Sequence, residues 1–232
     1  MLLQGGWQIS IRIISATRLA GAVFLGLSPL GLSLERLKLD KRIASTIVAE
    51  NRSPLPAIYN EAIEAAADAD ILVFMHDDVW IEDIFFADRL IEAVEAFDVV
   101  GVAGTRVLHP GQTAWFEDPL TKEPDRGNLS GAVGHGRTAF STIFRYGPPK
   151  LACELLDGMF LAAKRATLLT ANLRFDPAFD FHFYDLDFCR SARAKGLTLG
   201  TWPIVLGHAS HGAYDSPAWA EKRDDYLRKW GE

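Results

Sequence analysis

Short apolar runs alternate with stretches of helical periodicity along most of the chain. Leu30, Leu34 and Leu37 recur at helical spacing after a Ser28-Pro29 start signal, and similar stripes return in later segments. This alternation predicts an α/β fold with a mostly parallel central sheet flanked by helices. The predicted strands, rich in β-branched and other apolar residues, cover residues 8–16, 43–49, 71–75, 99–103, 155–162 and 198–205.

The pattern changes between residues 104 and 149. Glycine and proline recur there, periodicity fades, and aromatic, histidine and arginine side chains such as Trp115 and Arg145 are interspersed. A stretch of that length without clear elements is uncommon inside a compact domain, which favours a functional role. We therefore predict one domain over residues 1–232, with residues 104–149 as a long loop-rich insertion near the site.

Composition narrows the classes of function. Of the 232 residues, 49% are hydrophobic and 23% are charged, as in an ordinary globular protein. The formal net charge of -6 and the pI near 5.5 argue against a nucleic-acid-binding surface. Cys153 and Cys189 have no metal-type spacing, which favours structural thiols in a reducing compartment.

One apolar segment near the start of the chain bears on membrane association. Residues 19–34 contain Pro29 and several glycine and serine positions, and the segment is shorter than a spanning helix requires. We interpret it as buried core. The prediction is a cytoplasmic protein with no transmembrane segment and at most peripheral contact with a membrane.

Three groups of acidic and histidine side chains carry the candidate chemistry. They are His76-Asp77-Asp78 after the strand at residues 71–75, Asp185 and Asp187 at a helix start, and His208 and His211 after the last predicted strand. Strand ends form the ligand-binding edge of open α/β sheets, so the groups could converge there. Mixed oxygen and imidazole ligands suit Mn²⁺ somewhat better than Mg²⁺. Taken singly, an acid after a strand can also cap the next helix, and a lone histidine can be structural.

In their order along the chain, these groups resemble the GT-A fold glycosyltransferases, and within them the family 2-like group. The resemblance extends from the first strand to about His211. It rests on Asn-Arg-Ser-Pro-Leu-Pro-Ala-Ile-Tyr-Asn at residues 51–60, Phe-Met-His-Asp-Asp-Val at residues 74–79, and Phe-His-Phe-Tyr-Asp-Leu-Asp-Phe-Cys-Arg at residues 181–190. It implies a Rossmann-like GT-A fold and a nucleotide-sugar donor.

The resemblance also implies roles for individual residues. The DXD-like motif of the family falls on His76-Asp77-Asp78, with Met75 where many members have the first acid. The Glu-Asp pair, whose aspartate is the base of inverting members, falls on Tyr184-Asp185. The implied metal ligands are His208 and Asp77 or Asp78, and the other of these two acids would hold the donor ribose or bridge to the metal through water. The implied base is Asp185, with Asp187 as its substitute. Nucleotide contacts are implied at Glu50, Asn51 and Asn60, and a donor-sugar or acceptor contact at Asp157.

Two of these residues have an equally good structural interpretation from the sequence. Asn60 could be a buried helix-capping or core amide, and Asp157 could be the turn-forming residue of an Asp-Gly pair. Both interpretations stay open at the level of the sequence.

The activity implied by the resemblance is metal-dependent transfer of a hexose from a nucleoside-diphosphate donor to a hydroxyl acceptor, with inversion, in polysaccharide or glycoconjugate synthesis. Mn²⁺ or Mg²⁺ would neutralise the leaving diphosphate, and a carboxylate would take the acceptor proton. The acceptor could be a glycan, a lipid-linked molecule or a small molecule. Because the glutamate before Asp185 is absent, a non-catalytic nucleotide-sugar or glycan-binding module with the same fold is the alternative.

Overall fold

The computed structural model of the chain describes residues 9–210 and 216–231, which form seven helices and 13 strands. The helices are α1 (Gly21–Leu27), α2 (Pro29–Leu37), α3 (Leu55–Ala65), α4 (Phe86–Ala96), α5 (Arg165–Thr170), α6 (Tyr184–Ala194) and α7 (Pro217–Lys229). The strands are β1 (Ile11–Ala16), β2 (Ile43–Val48), β3 (Ile71–Met75), β4 (Val79–Ile81), β5 (Val99–Gly101), β6 (Ala103–Thr105), β7 (Leu129–His135), β8 (Thr142–Gly147), β9 (Ala152–Cys153), β10 (Leu155–Leu156), β11 (Phe160–Lys164), β12 (Leu199–Thr201) and β13 (Leu206–His208).

The first sheet contains seven strands in the order β2-β1-β3-β11-β5-β12-β9. β1 pairs in parallel with β2 and β3, so that Ile11 lies beside Ile43 on one side and Ile71 on the other. All five residues of β3 are buried, as expected for a central strand that is covered on both faces. The predicted start of α2 is set by Ser28, whose hydroxyl accepts a hydrogen bond from Gly31 N at 2.9 Å.

The α/β fold is confirmed, and five of the seven strands of the first sheet run in one direction, so the sheet is mostly but not purely parallel. β11 lies between β3 and β5 and is antiparallel to both, and β9 is antiparallel to β12. After β5 the chain builds strands of a second sheet, and it returns to the first sheet in the reversed direction. The hydrophobic pattern does not reveal this reversal, because a strand buried on both faces is apolar in either direction.

The second sheet contains β10, β6, β7, β13 and β4 in that order, with β8 paired to β7. β7 and β8 fall within residues 104–149, so this segment is less loop-rich than its sequence predicts. Gly131 in β7 has a φ of +96°, and a Cβ atom there would collide with the carbonyl group of Val102. Glycines at such close backbone approaches interrupt the alternation of apolar and polar residues, which hides these strands from the sequence pattern.

Only His76, Asp77 and Asp78 separate β3 in the first sheet from β4 in the second. β4 then pairs antiparallel with β13, which ends at His208. The backbone of the connection is fixed by a hydrogen bond from His76 N to Met159 O at 3.1 Å. The fold therefore positions this acidic stretch where the two sheets meet.

The apolar segment at residues 19–34 contributes α1 and part of α2. Phe24 and Leu30 are buried, as the core interpretation predicts, whereas Leu27 is 73% exposed. Among the described residues, no helix is both long enough and apolar enough to cross a membrane. Residue 8, the start of the first predicted strand, lies outside the described residues.

Candidate functional site

A cavity of about 680 Å³ opens where the two sheets meet, within the size range of small-molecule sites. Its lining includes the connection after β3, the turn before β11, the residues around the start of α6, and aromatic residues from the second sheet and its loops. Each predicted group of candidate residues reaches it, through Asp77 and Asp78, through Asp185, and through His208. The topology thus brings together side chains that are far apart in sequence.

His76, Asp78 and His208 form a compact cluster in this cavity. Each residue offers one ligand atom, and the three atoms lie within 4.8 Å of one another. Asp78 Oδ1 lies 3.2 Å from His208 Nε2, and within the described part of the chain this buried oxygen makes no hydrogen bond of regular geometry. A buried carboxylate oxygen beside two imidazoles, with no regular hydrogen bond from the described residues, fits a cation.

The charges in this cluster depend on one another. Burial raises the pKa of Asp78, but the neighbouring His208 and His76 outweigh this effect and lower the pKa to about 2. Burial lowers the pKa of His76. Burial also opposes a charge on His208, yet the adjacent Asp78 carboxylate raises the pKa of that histidine. Asp78 is therefore ionised across the physiological pH range.

The donor set decides which cations fit the cluster. One carboxylate and two imidazoles suit a first-row transition ion such as Mn²⁺ better than Mg²⁺, which prefers oxygen ligands. His76 is the third member of the cluster, whereas Asp77 lines the cavity without joining it. His211 lies outside the described residues.

Asp185 lines the cavity from the first turn of α6. Its Oδ2 atom accepts a hydrogen bond from Gly158 N at 3.0 Å. Removal from bulk water and the nearby Asp157 carboxylate raise the pKa of Asp185 to about 7. A carboxyl group with this pKa can accept a proton near neutral pH, as a general base must.

Asp187, the second aspartate of this helix, makes its contacts with α7. It is fully buried, and its Oδ1 atom accepts a hydrogen bond from Trp230 Nε1 at 3.0 Å and forms an ion pair with Lys229 Nζ at 2.7 Å. These contacts tie α6 to the C-terminal end of α7. Of the two aspartates, Asp185 is the one that lines the cavity.

Asp157 lines the cavity and also shapes the turn before β11. Its Oδ1 atom accepts a hydrogen bond from Met159 N at 3.0 Å, the pattern of a turn-forming aspartate. Its Oδ2 atom accepts one from Trp115 Nε1 at 3.0 Å. Two protein donors therefore hold this carboxylate beside Asp185.

The three residues predicted to contact the nucleotide lie outside the cavity lining of the described chain. Asn51 Oδ1 accepts a hydrogen bond from Ser53 N at 2.9 Å and closes a turn. Asn60 binds the backbone of Phe175 through both amide atoms, at 2.8 and 2.9 Å, as a structural amide does. Glu50 has a φ of +49° at the start of this turn. Nucleotide contacts at these positions remain predictions.

Several side chains at the site are not assigned from the sequence. Phe181 stacks on the ring of His76 with centroids 5.8 Å apart, and Tyr184 Oη lies 2.8 Å from His76 Nε2. Trp115 and Tyr146 pack edge to face in the cavity wall with centroids 4.9 Å apart. His76 is marked in the sequence by its place directly before two acids. Trp115 and Tyr146 lie within residues 104–149, where the sequence has no periodicity that would indicate their positions.

Comparison with known proteins agrees with the fold. Residues 31–219 match the model of a family described as a glycosyltransferase-like family. No curated protein matches the sequence significantly. The catalytic domain of Drosophila β1,4-galactosyltransferase 7 in complex with xylobiose is similar, with 12% identity, a TM-score of 0.50, and coverage of 95% of this chain and 79% of that chain.

A point mutant of the same Drosophila enzyme, in complex with manganese, UDP-Gal and xylobiose, is also similar. It has 13% identity and a TM-score of 0.50, and the match covers 83% of this chain and 64% of that chain. Likeness at these identities concerns the fold, which is of the GT-A glycosyltransferase type. Because the family match includes His76, Asp78, Asp185 and His208, it covers the cavity as well as most of the chain. The chain belongs to the glycosyltransferase-like family.

Proposed function

We propose that this chain is a metal-dependent, inverting glycosyltransferase that moves a hexose from a nucleoside diphosphate to a hydroxyl group of an acceptor, in the synthesis of a polysaccharide or glycoconjugate. One observation carries the proposal: a single cavity contains a compact His-Asp-His cluster and a separate aspartate whose pKa is raised to about 7. The reaction needs these two functions, charge neutralisation at the leaving group and proton removal at the acceptor.

His76, Asp78 and His208 would hold the cation, and Asp77 would contact the donor from the same cavity. Bound Mn²⁺ or Mg²⁺ supplies neutralisation of the diphosphate charge as the leaving group departs. The Drosophila galactosyltransferase complex contains manganese together with UDP-Gal, which supports a nucleoside-diphosphate hexose as the donor class.

Asp185 would take the proton of the acceptor hydroxyl as the new glycosidic bond forms. Inversion requires the acceptor to approach the sugar from the face opposite to the leaving diphosphate. A base that stands apart from the cation cluster supports this geometry, and Asp185 is not a member of that cluster. Its raised pKa supports proton transfer near neutral pH.

The cavity wall favours a carbohydrate acceptor. Trp115, Phe116, Tyr146 and Trp219 line it, and flat aromatic rings can pack against the apolar faces of sugar rings while polar groups fix orientation. The Drosophila catalytic domain was solved with xylobiose, which supports a glycan, free or lipid-linked, over an unrelated small molecule.

Calorimetric titration with UDP and with GDP, each in the presence and absence of Mn²⁺, tests the proposal. We expect metal-dependent binding of at least one of the two nucleotides. Slow hydrolysis of the matching nucleotide sugar, with Mn²⁺ present, then gives a turnover assay that requires no knowledge of the acceptor. Failure to bind any common nucleoside diphosphate with either Mn²⁺ or Mg²⁺ would overturn the proposal.

A non-catalytic nucleotide-sugar or glycan-binding module is the second candidate, favoured by Tyr184 at the position where the family has glutamate. Such a module would bind the donor with metal but would neither hydrolyse nor transfer it. The hydrolysis assay therefore separates the two candidates. The pKa of Asp185 near 7 favours the enzyme, because a binding module has no need of a base at this position.

A further inference from the structure

The hydroxyl group of Tyr184 links the cation cluster to the turn before β11. This side chain is 2% exposed, and its Oη atom lies 2.8 Å from His76 Nε2 and 2.8 Å from Gly158 O. Tyr184 begins α6 and directly precedes Asp185. The proposed reaction gives this tyrosine no role, which raises the question of what its hydroxyl does.

The positions of the protons in this chain of contacts follow from the groups involved. A carbonyl oxygen can only accept, so the single proton of the Tyr184 hydroxyl is donated to Gly158 O. The tyrosine oxygen must then accept in its contact with His76, so the proton between them belongs to His76 Nε2. A neutral imidazole has one N–H, and the unshared electron pair is then on Nδ1.

We propose that Tyr184 is a positioning residue that holds His76 in the Nε2–H tautomer and thereby presents its Nδ1 atom to a divalent cation shared with Asp78 and His208. This inference rests on the proposed function, because it concerns the cation used there. Histidine ligands commonly donate their second N–H to a protein acceptor, which fixes the tautomer and the ring orientation. Here the acceptor is the phenol oxygen of Tyr184, whose own proton is donated to Gly158 O.

The same turn connects the cation cluster to Asp185. Gly158 O accepts from Tyr184 Oη, and Gly158 N donates to Asp185 Oδ2 at 3.0 Å. Two consecutive residues of α6 therefore hold residue 158 by its carbonyl and by its N–H. A tyrosine at this position connects His76 to the helix that carries the proposed base. An ionised glutamate carboxylate can only accept hydrogen bonds, so it could not donate one to the Gly158 carbonyl.

Tyr184→Phe removes the hydroxyl and keeps the ring. Its affinity for Mn²⁺ alone, measured by calorimetry, should fall by about 10–100-fold, the range for losing an outer-shell partner of a histidine ligand. Tyr146→Phe is the matched control, because Tyr146 Oη contacts a histidine in the same cavity, His135 Nε2, at 2.9 Å. His135 is not in the cluster. The control should bind Mn²⁺ as tightly as wild type.

The tautomer can be measured in metal-free wild-type protein. Two-bond ¹⁵N–¹H correlation spectra of protein labelled at histidine, with His76 assigned from His76→Gln, should show Nε2 protonated and Nδ1 unprotonated. Tyr184→Phe should lose this preference, which a merely structural tyrosine would not affect. If that variant fails to fold, the wild-type spectrum still decides the tautomer.

A wild-type His76 that is protonated on Nδ1 overturns the inference. So does a folded Tyr184→Phe variant that binds Mn²⁺ as tightly as wild type. Wild-type protein that binds neither Mn²⁺ nor Mg²⁺ overturns the cation step together with the proposed function. Wild-type protein that binds Mn²⁺, together with a Tyr184→Phe variant that binds it equally well, overturns this inference alone, so the two failures are distinguishable.

Discussion

Asp185 packs directly against Gly158, and its Oδ2 atom accepts the Gly158 N–H at 3.0 Å. A Cβ atom on residue 158 would lie 2.5 Å from Asp185 Cβ and 2.8 Å from Asp185 Oδ2. The absence of a side chain at residue 158 therefore determines where the proposed base lies. This close approach gives the first prediction.

Gly158→Ala should displace the Asp185 carboxylate and lower transfer by about 100-fold, the effect of misplacing a reacting group by roughly 1 Å. Steady-state turnover with a glycan acceptor measures the loss. Gly127→Ala is the control, because a Cβ there meets nothing within 4 Å. Equal turnover of both variants would contradict the idea that packing at residue 158 positions the base.

Asp185→Asn should lower transfer by about 100- to 10,000-fold and leave metal-dependent nucleotide binding intact, since the amide can still accept the Gly158 N–H but cannot take a proton. Asp187→Asn, on the same helix, should retain turnover because Asp187 contacts α7. Turnover assays paired with nucleotide calorimetry separate binding from chemistry. Loss of turnover in Asp187→Asn alone would transfer the role of base to Asp187.

Turnover should rise with pH through about 7, as Asp185 loses its proton. Stability should change in the opposite direction. The pKa of Asp185 is raised from 3.8 to about 7 in the folded state, so the folded chain binds more protons between these values and loses stability as the pH rises. In metal-free thermal melts, the stability of Asp185→Asn relative to wild type should be greater near pH 8 than near pH 5, because the variant lacks the carboxylate whose ionisation destabilises the folded chain. A stability difference between the two proteins that does not change with pH would argue against the raised pKa of Asp185.

Asp78→Asn should weaken Mn²⁺ binding by more than the roughly 10–100-fold typical of an outer-shell change, because it removes the charged ligand of the cluster. Asp77→Asn should have a smaller effect on Mn²⁺ alone, since Asp77 is not in the cluster. Calorimetry without nucleotide compares the two variants. A larger loss in Asp77→Asn would place the direct ligand at Asp77.

Local patterns in the sequence were sufficient to predict the elements that a few adjacent residues define. The five apolar residues of β3 and the Ser28-Pro29 start of α2 show their structure in adjacent positions. The antiparallel direction of β11 and the pairing of β7 with β8 depend on contacts across the chain, which no local periodicity records.

The candidate site likewise contains residues that the sequence predicts and contacts that only the structure shows. The acids after β3 and His208 are marked by strand ends, whereas the contact between His76 and Tyr184 joins residues 108 positions apart. The sequence allows Asn60 to be a nucleotide contact or a structural amide, and the structure shows both of its amide atoms bound to the Phe175 backbone. Tertiary packing determines which hydrogen-bond partners a side-chain amide has, so no spacing rule could have predicted the contact with Phe175.

The His76-Asp77-Asp78 connection has one further consequence. His76 directly follows β3 of the first sheet, whereas Asp78 directly precedes β4 and His208 ends β13, two strands that pair in the second sheet. Any ion bound by all three residues is a cross-link between two separately hydrogen-bonded sheets. Such an ion would lie beside the cavity that also contains Asp185 and the aromatic wall.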